Sequence, residues 1–264
     1  MDPPSTNPSS QGPSSSPTTD YKYELLPDDF TKYDLNFKLI VIGDSGVGKS
    51  CLTNKATKNI FEESYNATVG FEFFTFNIRM NGKVLKLQIW DTCGQELYRS
   101  LITNFYRNSS LAIMVYSITS KDSFDNIDIW LKELRTHSNP DAKVFLIGNK
   151  IDLEASRKVD TVQGEQYEEE NNTNMFMETS AKTGINAQKV FIEAAKLLYN
   201  DYLKYQNKTG GQKAKTVTQT ENKPIGYEQD KESQHLSKKQ IDKIEENKCS
   251  YSKYNINIYS FIII

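Results

Sequence analysis

From Phe37 onward the chain is a series of short apolar runs separated by stretches whose apolar positions recur at helical spacing. Phe37-Lys38-Leu39-Ile40-Val41-Ile42 opens the series as a β-rich run and leads directly into glycines. Further strand-like runs cover Phe71 to Arg79, Val84 to Trp90, Leu111 to Ser117, Val144 to Gly148 and Met175 to Glu178. The second and third flank Met80-Asn81-Gly82-Lys83, and an Asn-Gly pair between alternating runs predicts a tight hairpin and an antiparallel pairing. Ser123 to His137 places Phe124, Ile127, Trp130, Leu131 and Leu134 on one helical face, and Ile185 to Tyr202 repeats the pattern. Strands alternating with helices predict a three-layer α/β domain: a mostly parallel six-stranded sheet with one antiparallel edge strand and about five helices over its two faces. Ligands of such a sheet bind at the carboxyl ends of its strands.

The flanks read differently. Residues 1–33 open with prolines among Ser and Thr, a composition that cannot bury enough apolar surface to offset its ordering entropy, so a disordered extension is expected. The folded domain then runs over 34–205. After it, periodicity fades into Lys, Gln, Asn, Thr and Glu, and 206–264 reads as a flexible tail with ten lysines against seven acids.

A net charge of −2 gives no general attraction to nucleic acid or an anionic membrane. Cys51, Cys93 and Cys249 lie far apart and, with only two histidines, build neither a metal site nor a disulfide framework, which fits a reducing, cytoplasmic setting. The N-terminus lacks a signal-peptide pattern and no apolar run is long enough to span a bilayer.

Gly43-Asp44-Ser45-Gly46-Val47-Gly48-Lys49-Ser50 fits G-x-x-x-x-G-K-S between a predicted strand and a predicted helix. In that setting backbone N–H groups of Asp44 to Cys51 surround phosphate oxygens, and the helix N-terminus adds its positive dipole end. Lys49 reaches the β- and γ-phosphates and the Ser50 hydroxyl ligates Mg2+. This loop alone does not separate an ATP-using kinase or ATPase from a GTP-binding switch.

Asn149-Lys150-Ile151-Asp152 follows the run Val144 to Gly148 and so lies at the same sheet edge. The Asp152 carboxylate can accept from both N1–H and the exocyclic amine of guanine, a donor pair adenine lacks. Lys150 would lie across the base plane, and Ser180-Ala181-Lys182, after the last strand, would present a backbone N–H to the guanine carbonyl. Each string is weak alone; in this order behind a phosphate loop they specify guanine.

With these motifs the chain resembles the Ras superfamily, and within it the Rab branch, over roughly residues 35–205. The opening Phe37 to Leu52, Val69-Gly70-Phe71-Glu72-Phe73, Leu87-Gln88-Ile89-Trp90-Asp91-Thr92 and Phe105-Tyr106-Arg107-Asn108 carry the likeness. The resemblance implies that Thr68 ligates Mg2+ and contacts the γ-phosphate, that Phe61 packs edge-on to the base, and that Tyr65 closes over the phosphates. It implies that Asp91 serves the metal site through water, that Gly94 gives its N–H to the γ-phosphate, and that Gln95 orients the attacking water. It also implies GTP/GDP and Mg2+ as ligands, and three kinds of partner: an exchange factor, an activating protein, and effectors that read residues 61–73 and 91–106. The aromatic set Phe73, Trp90 and Tyr106 resembles the surface Rabs show to effectors. Vesicle traffic at the cytosolic face of endomembranes is the implied process; a Ras-type signalling switch is the alternative.

Three departures stand out. Cys93 occupies a position where the family has alanine, next to Gly94, and a bulkier thiol there allows a second reading: a GTP-loaded binding module with negligible hydrolysis. The first helix is polar at Thr53, Asn54 and Lys55. Finally, Phe261-Ile262-Ile263-Ile264 is no prenylation box and Cys249 lies well before it, which leaves membrane attachment undefined.

Overall fold

The computed structural model describes residues 21–63, 68, 71–93 and 105–208. Seven strands form one sheet: β1 (Tyr23–Leu26), β2 (Leu35–Ile42), β3 (Phe71–Met80), β4 (Lys83–Thr92), β5 (Leu111–Ser117), β6 (Lys143–Asn149) and β7 (Met175–Thr179). Their order across the sheet is β1-β3-β4-β2-β5-β6-β7. Five α-helices are described: α1 (Lys49–Lys58), α2 (Lys121–Asp125), α3 (Ile127–His137), α4 (Thr161–Asn171) and α5 (Ala187–Lys208), with a 3-10 helix over Ile151–Ser156. No described helix is long and apolar enough to cross a membrane.

The strands form where the apolar runs predict. β5 is buried along its whole length, as a central parallel strand covered on both faces must be. The hairpin between β3 and β4 turns at Asn81 and Gly82, whose φ angles of 48° and 76° give the two positive values that a primed turn requires. Helix ends follow capping chemistry. The Ser120 side chain accepts from the Ser123 N–H at the start of α2, and Asp160 with Gln163 forms a capping box on α4.

Two apolar cores lie on opposite faces of the sheet. Leu52 and Ala56 of α1 and Val190, Phe191, Ala194 and Leu198 of α5 pack against one face; Phe124, Ile127, Trp130 and Leu134 of α2–α3 and Tyr167 of α4 cover the other. The polar first helix fits this arrangement because Thr53, fully buried, returns its hydroxyl to the Lys49 carbonyl at 3.1 Å.

The six-strand expectation needs correction. The seventh strand is β1, within the segment read as disordered, and it pairs antiparallel with β3 in the register Tyr23↔Met80 to Leu26↔Asn77. β3 therefore runs against its neighbours from an interior position, and the edge belongs to β1. The physical reason is that β3 offers a long apolar strand whose open edge gains hydrogen bonds from any extended segment tethered nearby.

Candidate functional site

Every motif singled out in the sequence, so far as it lies among the described residues, comes to the carboxyl end of the parallel strands β2, β4, β6 and β7. The phosphate loop leaves β2 and enters α1. Gly46 and Gly48 hold φ angles of 76° and 96°, and a Cβ on Gly48 would stand 2.4 Å from Asn149 Nδ2, so the loop closes only because no side chain is there. α1 starts on Gly48 with no side-chain cap and no acid in its first turn. Its leading N–H groups are left for an anion. Ser45 and Gly46 stand exposed at the tip, while Val47 is buried in the core.

Lys49 is 5% exposed and donates to the carbonyls of Gly43 and Asp44, each at 2.8 Å. Burial pushes its ammonium pKa below the ordinary lysine range, against the pull of Asp91 and other nearby groups. The Asp44 carboxylate turns away from the cradle: it accepts from Asn126 Nδ2 and from Trp130 Nε1, both at 2.8 Å. Asp44 thus ties the loop to the α2–α3 side of the sheet. No sequence signal marks this, because its partners lie on a helix more than 80 residues away.

Three oxygens meet beside Lys49. The Ser50 and Thr68 hydroxyls share a hydrogen bond at 2.7 Å, and Ser50 also bonds Asp91 Oδ2. Asp91 is fully buried at the end of β4, and its Oδ1 finds no hydrogen-bond partner. Burial raises its carboxyl to about 7, with the Ser50 hydrogen bond and Lys49 working against that rise. Two hydroxyls and a carboxylate with an unpartnered buried oxygen are a hard, oxygen-only donor set, the kind that fits Mg2+.

The guanine motifs are braced by one side chain. Asn149, 1% exposed, donates from Nδ2 to the Val47 carbonyl at 3.0 Å. Its Oδ1 accepts from Thr179 Oγ1 at 3.1 Å and from the Ala181 N–H at 3.2 Å. Lys150, in the left-handed region at φ 74°, donates to the Gly46 carbonyl at 2.6 Å. Asp152 accepts from Ser180 Oγ at 2.6 Å. Lys182 is exposed and paired with Glu63 at 3.0 Å. Cys51 is half-buried behind the loop and Phe61 packs on the α1 face of the core. Tyr65, Val69, Gly70, Gly94 and Gln95 lie outside the described residues.

A model of the Ras family matches residues 38–200. Ras-related protein RABA1b of Arabidopsis thaliana is 44% identical over 178 residues, which cover 67% of this chain and 82% of that protein. The chain belongs to the Ras family. It is a Rab-like small GTPase that hydrolyses GTP to GDP and phosphate.

For this GTPase one expectation changes. Tyr106 is fully buried and lies over His137, with ring centroids 6.2 Å apart, so it is no part of an exposed aromatic set. The neighbouring Phe105 takes that place: its ring lies 5.3 Å from Trp90 and 4.6 Å from Phe71, beside the half-exposed Phe73. Phe105 and Tyr106 are consecutive helical residues and point to different sides, which the sequence alone left ambiguous. Lys38 lies beneath this patch, 5.6 Å from the Trp90 centroid, and burial lowers its amine to about 8.

Cys93 is 1% exposed and belongs to the same core cluster as Ile40, Ile42 and Tyr106, within electrostatic reach of Lys49. Its thiol adds core volume. Cys93→Ala is therefore expected to leave single-turnover GTP hydrolysis within about twofold of the parent, while losing roughly 1 kcal/mol of stability to the small cavity. A clear rise in rate on substitution would support the reading that the thiol restrains Gly94.

Proposed function

We propose that this GTPase acts as a nucleotide-gated switch in vesicle traffic, alternating between GDP and GTP forms at the cytosolic face of endomembranes. The observation that carries this reading is the convergence of Ser50, Thr68 and Asp91 beside an uncapped helix start. It joins a residue of the first switch to the phosphate loop and to the strand that leads into the second.

In this reading the amides of residues 44–51 cradle the phosphates, Lys49 neutralises their charge, and Lys150 and Asp152 hold the base, with Ser180, Ala181 and Lys182 completing its pocket. Phe61 and Tyr65 flank the nucleotide. Ser50, Thr68 and Asp91 would hold Mg2+, which supplies charge compensation to the phosphate oxygens when bound. Thr68 and Gly94 sense the γ-phosphate, and Gln95 orients the attacking water.

The chemistry depends on positioning and electrostatics rather than on a side-chain base. Switches of this kind hydrolyse GTP on the order of 10⁻⁴ to 10⁻³ per second, and an arginine supplied by a partner adds roughly 10⁵. An exchange factor and an activating protein complete the cycle, and effectors read residues 61–73 and 91–106, with Phe73, Trp90 and Phe105 as the apolar centre of that surface. The chain divides into an extension, the nucleotide-binding domain to about residue 205, and a tail whose membrane attachment is open.

Gln95→Leu tests the reading. It is expected to keep GTP and GDP affinities within about twofold while lowering hydrolysis by at least about tenfold, with and without an activating partner. Turnover at the parental rate in single-turnover assays would remove Gln95 from its assigned role.

A further inference from the structure

The segment that precedes β2 does more than lead into it. β1 lies along β3, the chain then crosses the β3–β4 hairpin over residues 27–33, and Asp34 hands it to β2. On β3, the side chains of Phe74, Phe76, Ile78 and Met80 go into the core. Asn77 faces the other way, is nonetheless only 2% exposed, and is covered by this crossing segment. Its Nδ2 lies at 2.8 Å from the Pro27 carbonyl and at 3.3 Å from those of Asp28 and Phe30. One amide thus meets three backbone carbonyls of the crossing segment, of which that of Pro27 also accepts from the Phe30 N–H at 3.1 Å.

Both ends of the segment are fixed as well. The Tyr21 hydroxyl bonds the Asn200 side chain on α5, Glu24 pairs with Arg79, and Asp34 accepts from Lys83 Nζ and the Val84 N–H, each at 2.8 Å.

We propose that residues 21–34 are a resident strand partner for β3, held by Asn77, and that they close this sheet edge to strand addition by a second copy of this chain. β3 reads Phe-Glu-Phe-Phe-Thr-Phe-Asn-Ile-Arg-Met, long and aromatic, with two charges in ten residues. An edge of that composition pairs with other chains unless it is covered. β1 covers it from Asn77 to Met80. The anchor is polar where an apolar one would serve a permanent joint. When the segment lifts, the Asn77 amide meets water at little cost, whereas an exposed apolar anchor would be a lasting penalty. Tyr21, at the start of the segment, adds an aromatic contact by packing its ring edge-on against Tyr199. Asn77 also sits on the hairpin face that carries Phe73 and Trp90, two rungs further along the same register.

The test uses the full chain loaded with GDP and two variants. Asn77→Leu keeps the side-chain shape and removes the donor. Glu24→Pro removes a strand N–H that the pairing with Arg79 turns toward β3, at an exposed position where the core stays intact. Amide hydrogen exchange and light scattering over a concentration series are the readouts, with nucleotide retention as the check on folding. The parent is expected to keep a mass independent of concentration. In both variants, exchange at residues 23–26 and at the outward amides of 77–80 should rise about tenfold, and the mass should grow with concentration. Unchanged exchange in Asn77→Leu would overturn the role of Asn77. Freed edge amides without self-association, or a parent that already self-associates, would overturn the closing role. If Asn77→Leu loses nucleotide, Glu24→Pro decides between these outcomes.

Discussion

Asp152→Asn is expected to lower GTP affinity by roughly two orders of magnitude and to admit a xanthine nucleotide in its place. The aspartate follows Lys150 at the start of the 3-10 helix, and one of its oxygens is held by the Ser180 hydroxyl at 2.6 Å. That bond fixes the carboxylate plane and leaves its acceptor capacity for a base carrying two adjacent donors. An amide at this position presents a donor where guanine presents its own, so a hydrogen bond is lost and two donors are opposed. Xanthine carries a carbonyl at the altered position and suits the amide. Competition titrations with GTP and XTP against a fluorescent guanine nucleotide measure both arms. Unchanged GTP affinity would show that base recognition lies elsewhere. Because Ser180 lies on a different loop, Ser180→Ala should weaken GTP in the same direction by a smaller factor, through loss of orientation alone.

Lys49→Met should separate binding from folding. Its ammonium is almost fully buried, held by two carbonyls and depressed in pKa by desolvation. A charge in that position is costly until phosphates compensate it. Affinity for GTP should fall by about 10²- to 10³-fold, since charge-assisted hydrogen bonds to the phosphates are lost. The nucleotide-free protein, in contrast, should unfold within about 1 kcal/mol of the parent, because a desolvated charge is removed together with its hydrogen bonds. Equilibrium denaturation without nucleotide, set beside nucleotide titration, reads the two effects separately. A large loss of stability in the nucleotide-free protein would show that Lys49 serves the fold.

Much of this architecture was legible because it follows from period and turn chemistry. The buried parallel strands read as apolar runs, the Asn81-Gly82 turn announced the hairpin, and the phosphate loop declared itself by glycine spacing. What escaped notice has a common cause, namely interactions that depend on groups distant in sequence. β1 is four residues long and follows a proline-rich stretch, so neither length nor alternation marks it; its stability comes from β3. Asn77 reads as the polar position of an alternating strand, and only the crossing segment buries it. Asp44 belongs to the phosphate motif, yet its carboxylate serves Asn126 and Trp130. Phe105 and Tyr106 are chemically similar neighbours, and only the packing of tertiary neighbours decides which is buried.

The bracing of the site by Asn149 has a consequence for how the protein comes into being. The phosphate loop is complete once residue 50 has been synthesised, but the amide that supports its backbone arrives at residue 149, and the groups that orient this amide arrive at 179 and 181. Chains emerge from the ribosome N-terminus first, and contacts between distant segments must await closure of long loops. A nascent chain therefore carries a phosphate loop without a nucleotide site to put it in until residue 181 has been added. Guanine nucleotide enters only after the last parallel strand has docked, so its capture marks the completion of folding for each newly made molecule.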